Sequence, residues 1–163
     1  MSNRHNNRKF NRAAYNHNDK RAKDALVSYL KLEGYDNIKS TEDYHFDIHS
    51  EKEINRRRHQ QLFEVEIKNQ WKDSWNPSWT EIRIPQRKIR LIDKWEKDYP
   101  TSEFTFVVLN YNCKQGWFIP AKIVKGSKVD TIKNSRRIGE PHLKEPFFHI
   151  PMESATLKKL VDN

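Results

Sequence analysis

Leu62-Phe63-Glu64-Val65-Glu66-Ile67-Lys68 alternates apolar and charged side chains along its whole length. A period of two belongs to a β-strand, so Phe63, Val65 and Ile67 face one way and Glu64, Glu66 and Lys68 the other. One face is core and the other is chemistry. A carboxylate two residues before a lysine sets an oxygen ligand beside an ammonium, which suits a hard metal ion next to a charged reaction centre. Upstream, Asp43-Tyr44-His45-Phe46-Asp47-Ile48-His49 alternates in the same way. There Tyr44, Phe46 and Ile48 are expected to pack inward, and Asp43, His45, Asp47 and His49 to share the opposite face. If the two strands pair, Asp47 comes near Glu66 and Lys68.

The chain around these strands has 163 residues, room for one domain with a real core and too few for two comfortable ones. Hydrophobic residues make up 35% and charged residues 33%, so the core must be concentrated in a few elements. Lys and Arg number 31 against 22 Asp and Glu, and the formal charge of +9 favours a polyanionic partner such as nucleic acid. No apolar run approaches the roughly 20 residues of a membrane helix, and the start lacks the hydrophobic segment of a secretion signal. The expected location is cytoplasmic, with no membrane partner. Cys113 is the only cysteine, which excludes an internal disulfide and a cysteine-based zinc site and leaves ordinary packing as its reading.

Residues 1–17 are polar and basic and read as a flexible tail, either a phosphate-tracking arm or a frayed terminus. Residues 18–163 then form the domain. A capping residue at Asn18 or Asp19 precedes Ala22, Ala25, Leu26, Tyr29 and Leu30, the spacing of one helix face, and Gly34 closes that helix. Asp19 and Asp24 read as a cap and a solvated charge rather than as extra ligands. The charged segment Ser50 to Gln60, with Arg56-Arg57-Arg58, reads as an exposed hairpin loop. Trp71, Trp75 and Trp79 follow in a stretch whose Pro77, Asn and Ser content argues for a loop. Such aromatics either stack on unpaired bases or cover the edge of the core; Trp71 and Trp75 are the candidates for nucleic-acid contact.

Thr80 to Ile84 alternates again, and Pro85 starts a helix carrying Ile89, Ile92 and Trp95 that ends before Pro100. Gln86, Arg87, Lys88 and Arg90 crowd its first turns, where cations oppose the helix dipole unless an anion sits there; Arg87 and Arg90 are therefore candidate nucleic-acid contacts. Phe104 to Leu109 is the most continuous apolar run and predicts a central strand buried on both faces. Trp117 to Ile119 adds a strand and Pro120 to Val124 a helical turn. Gly126 to Lys144 reads as a basic loop, Phe147 to Pro151 as an edge strand, and Ser154 to Val161 as a short amphipathic end.

Cutting a phosphodiester requires an activated water, neutralised phosphoryl oxygens and a stabilised leaving oxygen, all of which carboxylate-held Mg²⁺ can provide. Mg²⁺ keeps several waters and takes one or two protein carboxylates, so Asp47 and Glu66 suffice, with Mn²⁺ as a substitute. Lys68 is placed to orient the attacking water or to offset negative charge, and Glu64 is a candidate additional ligand.

With these motifs in this order, the sequence resembles the PD-(D/E)xK nuclease superfamily, which includes restriction endonucleases, Holliday junction resolvases and phage exonucleases. The resemblance covers roughly residues 18 to 120. It implies an α/β fold with a mixed central sheet flanked by helices, a restriction-endonuclease-like αβββαβ core. Asp47 and Glu66-Ile67-Lys68 supply the motif, with the strand at Thr80 to Ile84 as the third of the core. It implies that Asp47 and Glu66 bind metal, that the Ile67 carbonyl adds a ligand, and that Lys68 is the catalytic lysine. Gln86 or Lys88 matches an auxiliary polar position, and His45-Phe46 stands where some members have proline.

The function so implied is a Mg²⁺-dependent endonuclease hydrolysing DNA, of phage or mobile-element type and possible as a homodimer. Two readings compete with it. One is a nucleic-acid-binding module without catalysis, and the other a metal held by His45, Asp47 and His49 from one strand face. The bland reading makes Glu64, Glu66 and Lys68 the wet face of an ordinary sheet.

Overall fold

The computed structural model describes residues 12–41, 46–131 and 145–161. It is mixed α/β. The chain opens with α1 (Arg12–Leu32), followed by β1 (Asp36–Ser40), β2 (Ile48–Ile54) and β3 (Arg57–Ile67). Then come β4 (Glu81–Pro85), a 3₁₀ turn at Gln86–Lys88, α2 (Ile89–Asp98), β5 (Glu103–Leu109) and β6 (Gln115–Pro120). The short α3 (Ala121–Lys125), β7 (Lys128–Thr131), β8 (Pro146–Pro151) and β9 (Thr156–Lys159) complete it. No described helix is long and apolar enough to cross a membrane.

Six strands form one sheet in the order β1-β2-β3-β5-β6-β9, and β4-β8-β7 form a second. Only β3 and β5 pair in parallel in the large sheet, Leu62 beside Phe104 and Ile67 beside Leu109, with α2 in the connection between them. Their apolar faces divide into two cores. Ala22, Leu26, Tyr29 and Leu30 of α1 pack with Phe63, Val65, Val107 and Leu109 on one side. On the other, Leu62, Phe104, Phe106 and Val108 meet Leu91 and Ile92 of α2 and Ile82, Ile84, Phe148 and Ile150 of the small sheet. The face of β3 that carries Glu64 and Glu66 is therefore roofed, not wet. Gly116 lets β6 lie close against β5, since a Cβ there would sit 2.7 Å from Leu109 Cδ2.

The helix stripe expected of α1 is the one that packs, and Gly34 closes the helix at φ +86°. Gly34 N donates to Lys31 O and Tyr35 N to Leu30 O, the paired bonds of a Schellman ending. The helix starts at Arg12, so residues 12–17 of the expected tail are helical, and residues 1–11 lie outside the described residues.

Four expectations need correction. The charged segment 50–60 is no long loop: β2 and β3 run through it and turn at Asn55-Arg56, both at positive φ, the backbone of a two-residue hairpin. Phe46 and Ile48 do not share a face, because Phe46 lies in the core roofed by α2 and Ile48 in the core under α1. Asp43, Tyr44 and His45 lie outside the described residues. The strand at 81–85 joins the second sheet; the third strand beside β2 and β3 is β1, whose polar Asp36-Asn37-Ile38-Lys39-Ser40 carries little alternation. Finally, β8 is the middle strand of its sheet rather than an edge, and β9 forms the edge beside β6.

Candidate functional site

Asp47 sits just before β2, in line with the register that sets Ile48 opposite Phe63. The next pair along that ladder is Asp47 and Glu64, and two contacts fix it. Asp47 Oδ2 accepts from the Val65 backbone N at 2.9 Å, and Asp47 N donates to Glu64 Oε1 at 3.3 Å. A side chain that takes the backbone donor of the neighbouring strand turns its own residue out of the ladder, which is why the alternation breaks between Phe46 and Ile48. Asp47 thus adjoins Glu64 rather than Glu66, which stands one strand repeat further on, about 7 Å along β3.

Glu64 is buried and its Oε2 lies 2.5 Å from Lys88 Nζ, an ion pair with side-chain exposures of 8% and 17%. Lys88, one of the two candidates for an auxiliary polar position, comes from the 3₁₀ turn before α2, which Pro85 starts, and reaches the Glu64 carboxylate. Gln86, two residues earlier in the same turn, is half-buried. From the α1 side, Lys23 Nζ stands 3.8 Å from Asp47 Oδ1 and 2.9 Å from Asp19 Oδ2, and donates to Thr41 O at 2.8 Å. Lys23 escaped the sequence reading; its signal was the i,i+4 pair it makes with Asp19.

Charge in this pocket is imperfectly balanced. Burial, reinforced by the Glu64 charge and hydrogen bond, pushes the Asp47 carboxyl up to about 8 against the opposing pull of Val65 N–H and Lys88. Burial also raises Glu66 above the ordinary carboxylate range, opposed mainly by Lys88 and Arg87. Lys68 is lowered by burial and by Arg83, with Glu66 acting against them, and its Nζ lies 4.7 Å from the Trp79 ring centre. Lys88 is raised, its carboxylate neighbours outweighing burial.

The other expected contacts separate. Arg87 and Arg90 are exposed, Arg87 pairing with Glu145. Trp75 is half-buried, whereas Trp71 is fully buried and offers no ring face to a base, so Trp71 is an anchor of the loop instead. Ile67 ends β3 with its side chain against the α1 core. His49 packs edge-on against Phe46 and Tyr99, at 5.8 and 5.9 Å between ring centres, and His45 lies outside the described residues. Cys113 is buried at a positive-φ position, its thiol pushed up by burial.

No protein-family model, curated protein or solved structure matches the chain. What the site can hold therefore rests on its own donors. Among the described residues no three His, Cys, Asp or Glu side chains converge on one ion position. The fit is to a cation that needs few protein ligands: two half-buried carboxylates, Asp47 and Glu66, are both held above their ordinary range, and both would be relieved by a hard divalent ion keeping its waters. Glu64, already engaged by Lys88, is suited to support them.

A pH dependence follows with a definite sign. An acid whose folded pKa is raised binds its proton more tightly in the folded state, so its stabilisation is full below the unfolded pKa near 3.8 and is lost as pH rises towards about 8. Urea unfolding in EDTA is expected to show wild type losing about 2 kcal/mol more than Asp47→Asn between pH 5 and pH 8. Parallel profiles for the two proteins would mean that Asp47 is not strained by its burial.

Proposed function

We propose that the chain is a Mg²⁺-dependent endonuclease that hydrolyses phosphodiester bonds in DNA, built on a restriction-endonuclease-like core of the PD-(D/E)xK superfamily. The observation that carries this reading is the meeting on one roofed sheet face of Asp47, Glu64 and Glu66 with Lys68 and Lys88. Two further features support it. With β4 set aside in the second sheet, the order α1, β1, β2, β3, α2, β5 and the strand neighbours β1-β2-β3-β5 are compatible with the helix, three strands, helix and strand expected of that superfamily's core. The +9 charge suits a polyanion.

In this reading Asp47 and Glu66 hold the ion. Bound there, Mg²⁺ would neutralise the phosphoryl oxygens and acidify the attacking water. Lys68, its ammonium weakened by burial and by Arg83, exchanges a proton with that water at Nζ or holds it in line. Lys88 neutralises Glu64 and fixes its second oxygen on Asp47 N, which keeps the Asp47 backbone in place. The Ile67 carbonyl, at the end of β3, would be a further oxygen donor in this reading.

A panel of supercoiled plasmid, linear duplex, four-way junction, single strand and RNA, incubated with Mg²⁺, Mn²⁺ or EDTA, tests the proposal. Metal-dependent products are expected from wild type and from none of Asp47→Asn, Glu66→Gln and Lys68→Met. Salt-sensitive binding with no product in any divalent ion would replace the nuclease by a binding module. Unchanged cleavage in all three variants would move the chemistry elsewhere.

A further inference from the structure

A cleft of about 250 Å³ opens beside Glu66 and Lys68 and is lined by Trp75, Trp79 and, from β4, Arg83. It lies below the roughly 300–1,000 Å³ of clefts that bury a drug-sized molecule, so it has room for one small ring system and not for a duplex, whose major groove alone is about 12 Å wide. We propose that this cleft seats one unpaired nucleotide of the nucleic-acid substrate, its base against Trp79 and its phosphate toward Lys68 and Arg83. The proposal rests on the nuclease reading for its consequence, which is a preference for single strands, flaps or frayed ends over intact duplex.

The wall is prearranged. Residues 68–80 form a connection of 13 residues between β3 and β4 without helix or strand, a length that in compact domains usually serves binding. Its backbone is pinned by Trp71 N to Lys68 O at 3.0 Å and Trp79 N to Asn76 O at 2.9 Å. Trp75 donates Nε1–H to Trp79 O at 2.9 Å, and its ring meets those of Trp71, Trp79 and Trp117 edge-on at 5.1, 5.0 and 5.6 Å. Fully buried Trp71 thus holds half-buried Trp75, which in turn holds half-buried Trp79 at the cleft. A ring fixed in advance loses little freedom when a base stacks on it.

The charges fit a nucleotide as well. Lys68 reaches over Trp79, and exposed Arg83 lines the same cleft, so two cations face one small space. Glu81, the nearest acid on β4, is already shared between His149 Nδ1 at 2.8 Å and Arg83 Nε at 3.3 Å. A phosphate entering between Lys68 and Arg83 would draw the Lys68 ammonium off the Trp79 ring, over which it stands at 4.7 Å, and leave the ring to the base. Bases within a duplex have both faces covered by stacking, so only an unpaired one presents a face to Trp79.

Fluorescence anisotropy in EDTA with a short fluorescein-labelled oligothymidylate, and with a blunt hairpin duplex of equal length, tests this without the metal. Wild type is expected to bind the single strand more tightly. Trp79→Ala should weaken that binding about 5- to 100-fold, and Trp79→Phe, which keeps a stacking ring, by under about threefold. Arg83→Gln, at an exposed position, should weaken it about 3- to 10-fold and reduce the salt slope by about one. Equal affinity for duplex, or an unchanged oligothymidylate affinity in Trp79→Ala, would overturn the proposal. The same proteins in Mg²⁺ separate the two ideas: cleavage without tryptophan-dependent binding leaves the nuclease and removes the cleft. Tryptophan-dependent binding with no cleavage of any substrate removes the nuclease, and with it the preference claimed for it.

Discussion

Glu66→Gln is expected to reduce metal-dependent cleavage by about 10³-fold or more while the chain remains folded. In the proposed function Asp47 and Glu66 share one Mg²⁺, so removing one oxygen charge would weaken the ion and misplace whatever it holds, and lost electrostatic stabilisation of this kind costs about 10²–10³ in rate even for a single donor. The fold should survive because Gln keeps the shape and Glu66 pays a desolvation penalty as a charged group in the metal-free protein. The metal-free Glu66→Gln protein should therefore be at least as stable as wild type. Mg²⁺ titrated into each during thermal unfolding gives a second readout, since an ion that binds only the folded state raises the midpoint. Wild type should rise with Mg²⁺ and Glu66→Gln should not. A variant that cleaves within about tenfold of wild type would remove Glu66 from the machinery.

The residues behind that prediction were legible in the sequence to different degrees. The strand of Glu64, Glu66 and Lys68 could be read because its alternation is long and unbroken, and the same holds for the stripe of α1 and the apolar run of β5. The partner of Asp47 could not. Its position depends on the pairing register, which sets Ile48 opposite Phe63 and so brings Asp47 to Glu64 rather than Glu66, where its bond to Val65 N holds it. Strands β1 and β9 carry few apolar residues because they lie at sheet edges, where pairing rather than burial holds them, so hydrophobic patterning does not mark them. Lys88 was legible as one of two candidates, with Gln86, for an auxiliary polar position and as one cation among several at a helix start. That it turns inward while Arg87 and Arg90 stay in solvent follows from the 3₁₀ turn, which no local preference announces.

Lys88→Met is the strongest test of how that inward turn supports the site. The Lys88–Glu64 pair joins a half-buried lysine to a buried carboxylate, and truncating one partner of a buried pair leaves an uncompensated charge that costs about 3–5 kcal/mol. The sign with pH is set by Lys88, whose folded pKa is raised: its contribution is complete below the unfolded value near 10.4 and is lost only as pH climbs through the folded one. At pH 7 the whole effect is therefore present, and urea unfolding should find Lys88→Met about 3 kcal/mol less stable than wild type in EDTA. Glu64→Gln combined with Lys88→Met removes the stranded charge and should recover most of that loss, so the two substitutions will be strongly non-additive. Divalent ion should act in the same direction, because a cation near Asp47 and Glu66 also offsets Glu64. Mg²⁺ should then raise the unfolding midpoint of Lys88→Met by more than that of wild type. A loss below about 1 kcal/mol, or a double variant no more stable than the single one, would show that Lys88 is a solvated lysine and that the roofed face does not depend on it.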